Sequence, residues 1–184
     1  MIPISQIFGR LGNSMFQMAT LYAHSRDLGV DFYFQDPYYF QEHQEAVRAL
    51  FSTDIPPRTD AIAIHIRRGD YVDNKFYVDL MKTNYYQKAM AKFPNEKFLV
   101  FSDDIPWCEK QKIFENCEFS YGNEIEDLNK MASCKGHIIA NSSFSWWGAW
   151  LCPEYPDNKV IAPKQWYQDG NNSRTILPPQ WKRL

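Results

Sequence analysis

An α/β fold, a parallel sheet with helices on both faces, is what this sequence predicts. Compact apolar β runs, "AIAIHI" (61–66), "KFLVFS" (97–102), "HIIA" (137–140) and "KVIAP" (159–163), recur beyond residue 60. Helix-length segments separate them, and that alternation implies parallel strands joined by crossover helices. Such a sheet binds ligands at the carboxyl ends of its strands, and the residues following these runs are chemically distinctive.

The elements follow in order. Ile2, Ile4 and Ile7 make a short strand broken by Gly9. Met15, Phe16, Ala19, Leu21, Tyr22, Ala23 and Leu28 fit a helix from Gly12 to about Leu28, stopped by Gly29. Residues 31–40 are aromatic and irregular, and residues 41–51 predict a second helix. The turn-rich "DIPPRTD" (54–60) is the predicted joint between two parts of the chain. Beyond it come helices over 84–93 and from Asp104, with Asp104 as N-cap and Pro106 in the first turn. "CEFSYG" (117–122) predicts a strand, and residues 124–134 and 145–151 predict helices.

Composition narrows the functional classes. The 184 residues carry a formal net charge of −2, which does not favour a polyanionic partner such as nucleic acid. Aromatic residues reach 16%, a richness shared by aromatic cores and by proteins that bind planar or sugar-like ligands. Cys108, Cys117, Cys134 and Cys152 show no metal-ligand spacing, and no apolar run resembles a signal peptide or a membrane span. The expectation is a reducing, cytoplasmic setting with free, mostly buried thiols; peripheral attachment to a membrane surface stays compatible with it.

The strand ends carry the chemistry. "GRLGNSMF" offers two glycines at a helix start, where amides approach a phosphate closely. "AIAIHI" is followed by "RRGDY", so His65, Arg67, Arg68 and Asp70 stand at one ligand edge. Adjacent arginines ending an apolar strand need an anion or a carboxylate, and the planar guanidinium suits a diphosphate. The alternative is a local salt-bridge cluster in which Asp70 only orients an arginine. Asp103 and Asp104 follow "KFLVFS"; one caps a helix, and the other is placed to accept from a ribose hydroxyl or a base amine. Their adjacency is not a DxD metal motif. Asn141, Ser142 and Ser143 occupy a strand–helix turn where amides and hydroxyls converge on a negative ligand. Phe144, Trp146, Trp147 and Trp150 then wedge the new helix against the sheet, and the tryptophans are read as core.

Taken in order, "GRLGNSMFQMA", "HIRRGDY", "VFSDD" with Trp107, and "ANSSFSWWGAWL" followed by "KVIAPKQWY" resemble glycosyltransferase family 11, the α-1,2-fucosyltransferases. The tryptophan-rich motif is the most specific of them. The resemblance covers residues 4–29 and 61–167 and implies a GT-B architecture of two Rossmann-like lobes. It implies GDP-fucose as donor, a glycan hydroxyl as acceptor, inversion at the anomeric carbon and no obligatory metal or other cofactor. By position, Arg67 would grip the β-phosphate with Arg68 and His65 shaping the site. Asp103 would contact the nucleoside, and Ser142, Ser143 and Phe144 would line the diphosphate beside Asn141. Gly12 and Asn13 would complete the phosphate cradle from the first lobe. Only 35 residues separate Gly29 from His65, where the family carries a longer segment that completes the N-terminal lobe and much of the acceptor site. The expected organisation is therefore an abbreviated N-terminal lobe, 1–57, and a nucleotide-sugar-binding lobe, 58–184.

Two functions compete on this footing. One is an inverting transferase moving L-fucose from GDP-fucose to a galactoside hydroxyl in α-1,2 linkage, with Arg67 stabilising the leaving GDP and Asp70 as candidate general base. The other is a non-catalytic, truncated relic that still binds a GDP-sugar. A carbohydrate-binding module leaves the arginine pair unexplained. Homo-oligomerisation would cover apolar surface left by a short lobe.

Overall fold

The computed structural model of the chain describes residues 10–28, 43–52, 54–169 and 176–184, excepting the side chains of 24–28. The strand predicted over Ile2–Ile7 and the aromatic stretch 31–40 lie outside these residues. The chain divides into two compact units, Met1–Asp54 and Ile55–Leu184.

In the first unit, helix α1 spans Leu11–Leu28 and α2 spans Gln44–Phe51. Met15, Phe16, Ala19, Leu21 and Ala23 bury the inner side of α1, and Val47 buries that of α2. Gly12 and Asn13 lie in the first turn of α1, which starts one residue before the predicted Gly12.

The second unit is a six-stranded, wholly parallel sheet in the order β3-β2-β1-β4-β5-β6. Its strands are β1 (Thr59–Ile66), β2 (Lys97–Ser102), β3 (Glu118–Phe119), β4 (Cys134–Ile138), β5 (Lys159–Ala162) and β6 (Lys182–Arg183). Helices α3 (Tyr85–Met90), α4 (Ile105–Cys108), α5 (Glu124–Ala132) and α6 (Ser143–Trp150) come between the strands. This is the Rossmann-like order, in which the chain winds one way through β1–β3 and the other way through β4–β6. The reversal sets the carboxyl ends of β1 and β4 side by side, with β2 flanking β1.

Register explains the two buried faces. Ile64 pairs with Val100 on one side and Ile138 on the other, all in one apolar layer with Tyr86, Ala89 and Phe93. Ala63, beside Leu99, points the other way with Phe101 and Met131 of α5. Where the ladders end, buried tyrosines of α3 satisfy the carbonyls. Tyr86 Oη donates to the His65 carbonyl at 2.9 Å, and Tyr85 Oη lies 2.7 Å from the Ile139 carbonyl and 3.0 Å from that of Ile161. Burial pushes both phenols well above the usual range, so each is a neutral donor.

Several boundaries differ from the sequence expectation. The helix read to residue 134 stops at Ala132, and β4 begins at Cys134, not His137. Cys134 continues the helical apolar period, but Thr59 claims it for the ladder: Thr59 pairs with Cys134 and its amide donates to Ser133. Helix α6 starts at Ser143, two residues early, with Ser142 as N-cap. The short edge strand β6, from "KR", carries no apolar signal and was not expected. Among the described residues no helix is long and apolar enough to cross a membrane. All four cysteines are free, and burial raises Cys108, Cys117 and Cys134 to about 11, keeping them as protonated thiols.

One buried base ties β4 to its helices. His137 is fully enclosed; its Nε2 lies 2.9 Å from the Met131 carbonyl and its Nδ1 3.4 Å from Asn158 Nδ2. The neutral ring that donates from Nε2 and accepts at Nδ1 satisfies both contacts. Burial holds its pKa down to about 4, against the partial lift from the Met131 hydrogen bond. The unfolded chain therefore takes up a proton that the fold refuses between pH 6.5 and about 4. Stability is expected to be full above that window and to fall on acidification through it. Urea unfolding of His137→Gln should show a markedly shallower slope in the same range; an unchanged slope would assign the acid sensitivity elsewhere.

Candidate active site at the sheet switch point

The candidate site forms where the loops after β1, β2 and β4 meet. Because β1 and β2 are paired with Ile66 beside Ser102, the next residues, Arg67 and Asp103, emerge together. Asp103 Oδ2 accepts from Arg67 Nη1 at 2.9 Å, and Oδ1 accepts from the Arg68 backbone amide at 2.8 Å. One carboxylate therefore holds both arginines, and the ion pair is nearly dry: the side chains are 10% and 14% exposed. Arg67 Nη2 also pairs with Asp70, whose side chain is 65% exposed.

The remaining contacts fix the guanidinium planes. Arg68 Cζ sits over the Trp107 ring, 3.7 Å from its centroid, and Arg67 Cζ sits 5.1 Å from the Tyr71 centroid. Such cation–π contacts contribute about 0.5–2 kcal/mol, the upper end when desolvated. The Tyr71 phenol, pushed up by burial and by Tyr77, stays neutral. The Nε atoms of both arginines are buried without a hydrogen-bond partner. Gly69 completes the turn at φ +33°, and a Cβ there would fall 2.5 Å from Asp103 Oδ2. Only glycine lets the chain pass over the carboxylate at this angle.

The β4–α6 turn closes the other side. Phe144, at the start of α6, sets its ring 5.3 Å from buried His65 on β1. Ser142 caps α6 without a side-chain cap hydrogen bond. The buried Ser145 Oγ instead staples the turn, accepting from the Ala140 amide at 3.2 Å and lying 3.3 Å from the Ser142 carbonyl. Asn141 Nδ2 donates to the carbonyls of Val78 and Trp166 at 3.0 and 2.9 Å. Its amide protons thus tie two loops together and do not point to a ligand. Trp146, Trp147 and Trp150 are all fully buried, packed on one another at 5.2–5.6 Å between centroids. Trp146 Nε1 donates to the Ile176 carbonyl at 2.8 Å.

The structure thus brings His65, Arg67, Arg68, Asp70, Asp103, Asn141, Ser142, Ser143 and Phe144 to the carboxyl edge of one sheet. Arg67, Arg68 and Asn141 also line one small cleft with Tyr71 and Asp79. Gly12 and Asn13 belong to the first unit, Gly12 buried and Asn13 exposed. Sequence reasoning left the bracing roles of Gly69, Tyr71, Trp107 and Ser145 unassigned. The signal was available only as the invariably awkward pairing of "RRG" with a following aromatic; which carboxylate it meets depends on strand register. Removing the carboxylate in Asp103→Ala should cost about 2–3 kcal/mol in urea unfolding. That is somewhat below the roughly 3–5 kcal/mol of a fully unpaired buried charge, because Asp70 remains. A loss under 0.5 kcal/mol would mean that the pair is not a brace.

Comparison with known proteins agrees with this geometry. Residues 31–184 match the model of glycosyl transferase family 11. An alpha-1,2-colitosyltransferase of Escherichia coli is 38% identical over 182 aligned residues, covering 83% of this chain and 61% of the relative. The O-antigen biosynthesis glycosyltransferase WbnK of the same organism is 31% identical, covering 83% and 59%. The galactoside 2-alpha-L-fucosyltransferase Sec1 of Mus musculus is 27% identical, covering 60% and 33%. The chain spans about three-fifths of the length of the two bacterial relatives. By sequence over most of its length, and with the arginine-bearing Rossmann-like sheet that carries the matched motifs, the chain belongs to glycosyl transferase family 11.

Proposed function

We propose that this chain transfers a deoxyhexosyl group, L-fucose in the first instance, from a GDP-linked donor to a galactoside hydroxyl in α-1,2 linkage with inversion. The observation that carries the reading is the arginine pair held by Asp103 at the switch point, beside the side-chain-uncapped N-terminus of α6. A diphosphate needs donors that stay put while its charge grows. Arg67 and Arg68 have little freedom to move, and the first-turn amides of an eight-residue helix add partial positive charge.

On this reading the bond from the anomeric carbon to the β-phosphate oxygen breaks as the acceptor oxygen adds from the opposite face and gives up its hydroxyl proton to solvent water. Charge collects on the leaving GDP, where Arg67 and the α6 amides stabilise it. Asp70 is tied to Arg67, which supports a bracing role over that of general base. Asp103, with both oxygens engaged, is read as positioning the arginines in preference to touching the nucleoside. Ser142 and Ser143 line the diphosphate through the turn, while Gly12 and Asn13 belong to the first unit. Residues 58–184 form the donor-binding part on this reading. The donor sugar has a second candidate, colitose, because the 38% identical relative is a colitosyltransferase.

The test offers labelled fucosyl and colitosyl GDP-donors with lactose and methyl β-D-galactoside, scoring transfer, hydrolysis and GDP-induced thermal stabilisation. Arg67→Ala should abolish transfer and weaken GDP binding roughly 30-fold or more, about 2 kcal/mol or above. Arg67→Lys should retain only a minor part, since it keeps the charge but loses the fork. Near-normal activity of Arg67→Ala would refute the assignment. GDP-induced stabilisation without turnover on any acceptor would instead select the non-catalytic GDP-sugar binder, favoured by the compact first unit of 54 residues.

A further inference from the structure

The segment that follows the arginines folds back as a strap, residues 71–83, and its tip exposes apolar surface in an unusual way. Phe76 is 75% exposed and Val72 42% exposed. An exposed aromatic on a loose loop would mean little, but this loop is pinned. The Phe76 amide donates to Asn74 Oδ1 at 2.8 Å, and its carbonyl accepts from the Gln168 amide at 2.8 Å. Gln168 Nε2 reaches the carbonyls of Asn74 and Tyr77 at 3.0 and 2.9 Å. Asp73 takes a positive φ of 56°, an uncommon conformation for a side-chain-bearing residue, to make the bend.

The pinned tip is continuous with the arginine site. Asn74 Nδ2 donates to the Asp70 carbonyl at 3.0 Å. Tyr71 stands between Arg67, 5.1 Å from its ring, and Tyr77, stacked on it at 3.9 Å. Tyr77 in turn packs on Tyr167 at 5.6 Å and bridges to its backbone. Fixing the strap to the β5 loop therefore fixes Phe76 relative to Arg67.

We propose that Phe76 forms an acceptor subsite, a platform for the C–H face of a neutral pyranose in the glycan acceptor. The proposal rests on the glycosyl-transfer reading above. One face of a pyranose is weakly polar and its rim carries hydroxyls. Phe76 offers an aromatic face, and the same strap carries the exposed Asp73–Lys82 ion pair, whose charges can meet hydroxyls. Two exposed apolar side chains are too little surface for a stable protein interface. The neighbouring charges also alternate in sign, with Lys82 close to both Asp73 and Asp79, and make no basic patch for anionic lipid. A rigid, small platform suits a small rigid ligand, because ordering costs are met before binding.

The experiment compares the intact chain with Phe76→Ala and Phe76→Trp, using GDP-fucose with lactose. Phe76→Ala should raise the KM for lactose about tenfold and leave GDP-induced thermal stabilisation unchanged, and Phe76→Trp should restore the KM. In parallel, saturation-transfer NMR of lactose on the GDP-loaded chain reads binding without turnover; the galactose C–H signal should appear with the intact chain and vanish in Phe76→Ala. An unchanged KM or NMR signal in Phe76→Ala, or no signal with the intact chain, would overturn the subsite while leaving Arg67-dependent GDP binding untouched. A change in sedimentation behaviour on Phe76→Ala, or loss of GDP stabilisation with it, would overturn it in favour of an interface or a structural role. Loss of the transfer reading shows separately, as GDP binding that ignores Arg67.

Discussion

A single carboxylate, that of Asp103, joins two loops that would otherwise repel any ordered arrangement. Two adjacent guanidinium groups at the end of an apolar strand carry like charge and partial burial, both unfavourable without a counter-charge. Asp103 supplies it, one oxygen to the Arg67 side chain and one to the Arg68 amide. The pairing of β1 with β2 delivers that carboxylate, Gly69 makes room above it, and Trp107 and Tyr71 set the two guanidinium planes. With the carboxylate consumed by this bracing, an anion that enters meets arginines already desolvated and oriented. Their interaction with developing charge is correspondingly strong, since little solvent or side-chain reorganisation remains to be done.

The β4–α6 turn solves a different problem by a different means. Its polar residues would be costly to bury loosely, and its helix is apolar all round. The chain uses the tryptophans as ballast: three indoles at zero exposure pack on one another, and Trp146 also packs on Trp181 and ties α6 to the Ile176 carbonyl. Truncating any one of them removes roughly the 3–5 kcal/mol typical of a large core side chain. Ser145 then fixes the turn from inside, while Ser142 leaves the first helical turn without a side-chain cap. Rigidity is thus supplied by hydrophobic burial. Asn141 is the exception. Its amide is spent on Val78 and Trp166, which makes it a fastener of the strap to the sheet edge.

That fastening connects the arginines with the rest of the edge. The strap is held by Asn141 from β4, by Gln168 from the β5 loop and by the Tyr71–Tyr77–Tyr167 ladder. Three separate chain segments therefore agree on its position. The same strap starts at the arginine site and carries the exposed Phe76 at its tip. The geometry of one depends mechanically on the geometry of the other.

The sequence by itself determined the parallel α/β class, the identity of the edge residues and the family. Compact apolar strands punctuated by helices report burial on both faces, and the "RRGDY" and "NSSFSWWGAW" motifs are local enough to be read directly. The tryptophans, read as core, are core. Boundaries were less legible. Cys134 fits a helical period as well as a strand, and only pairing with Thr59 decides between them; β6 has too few residues to announce itself. Tertiary structure alone decided what each polar residue touches. Asp103 lies 35 residues from Arg68, and Asn141 lies 63 from Val78, so no local pattern records either bond. The reason is physical: side-chain type sets what a residue can bind, but strand register, fixed by the whole apolar core, sets what it meets.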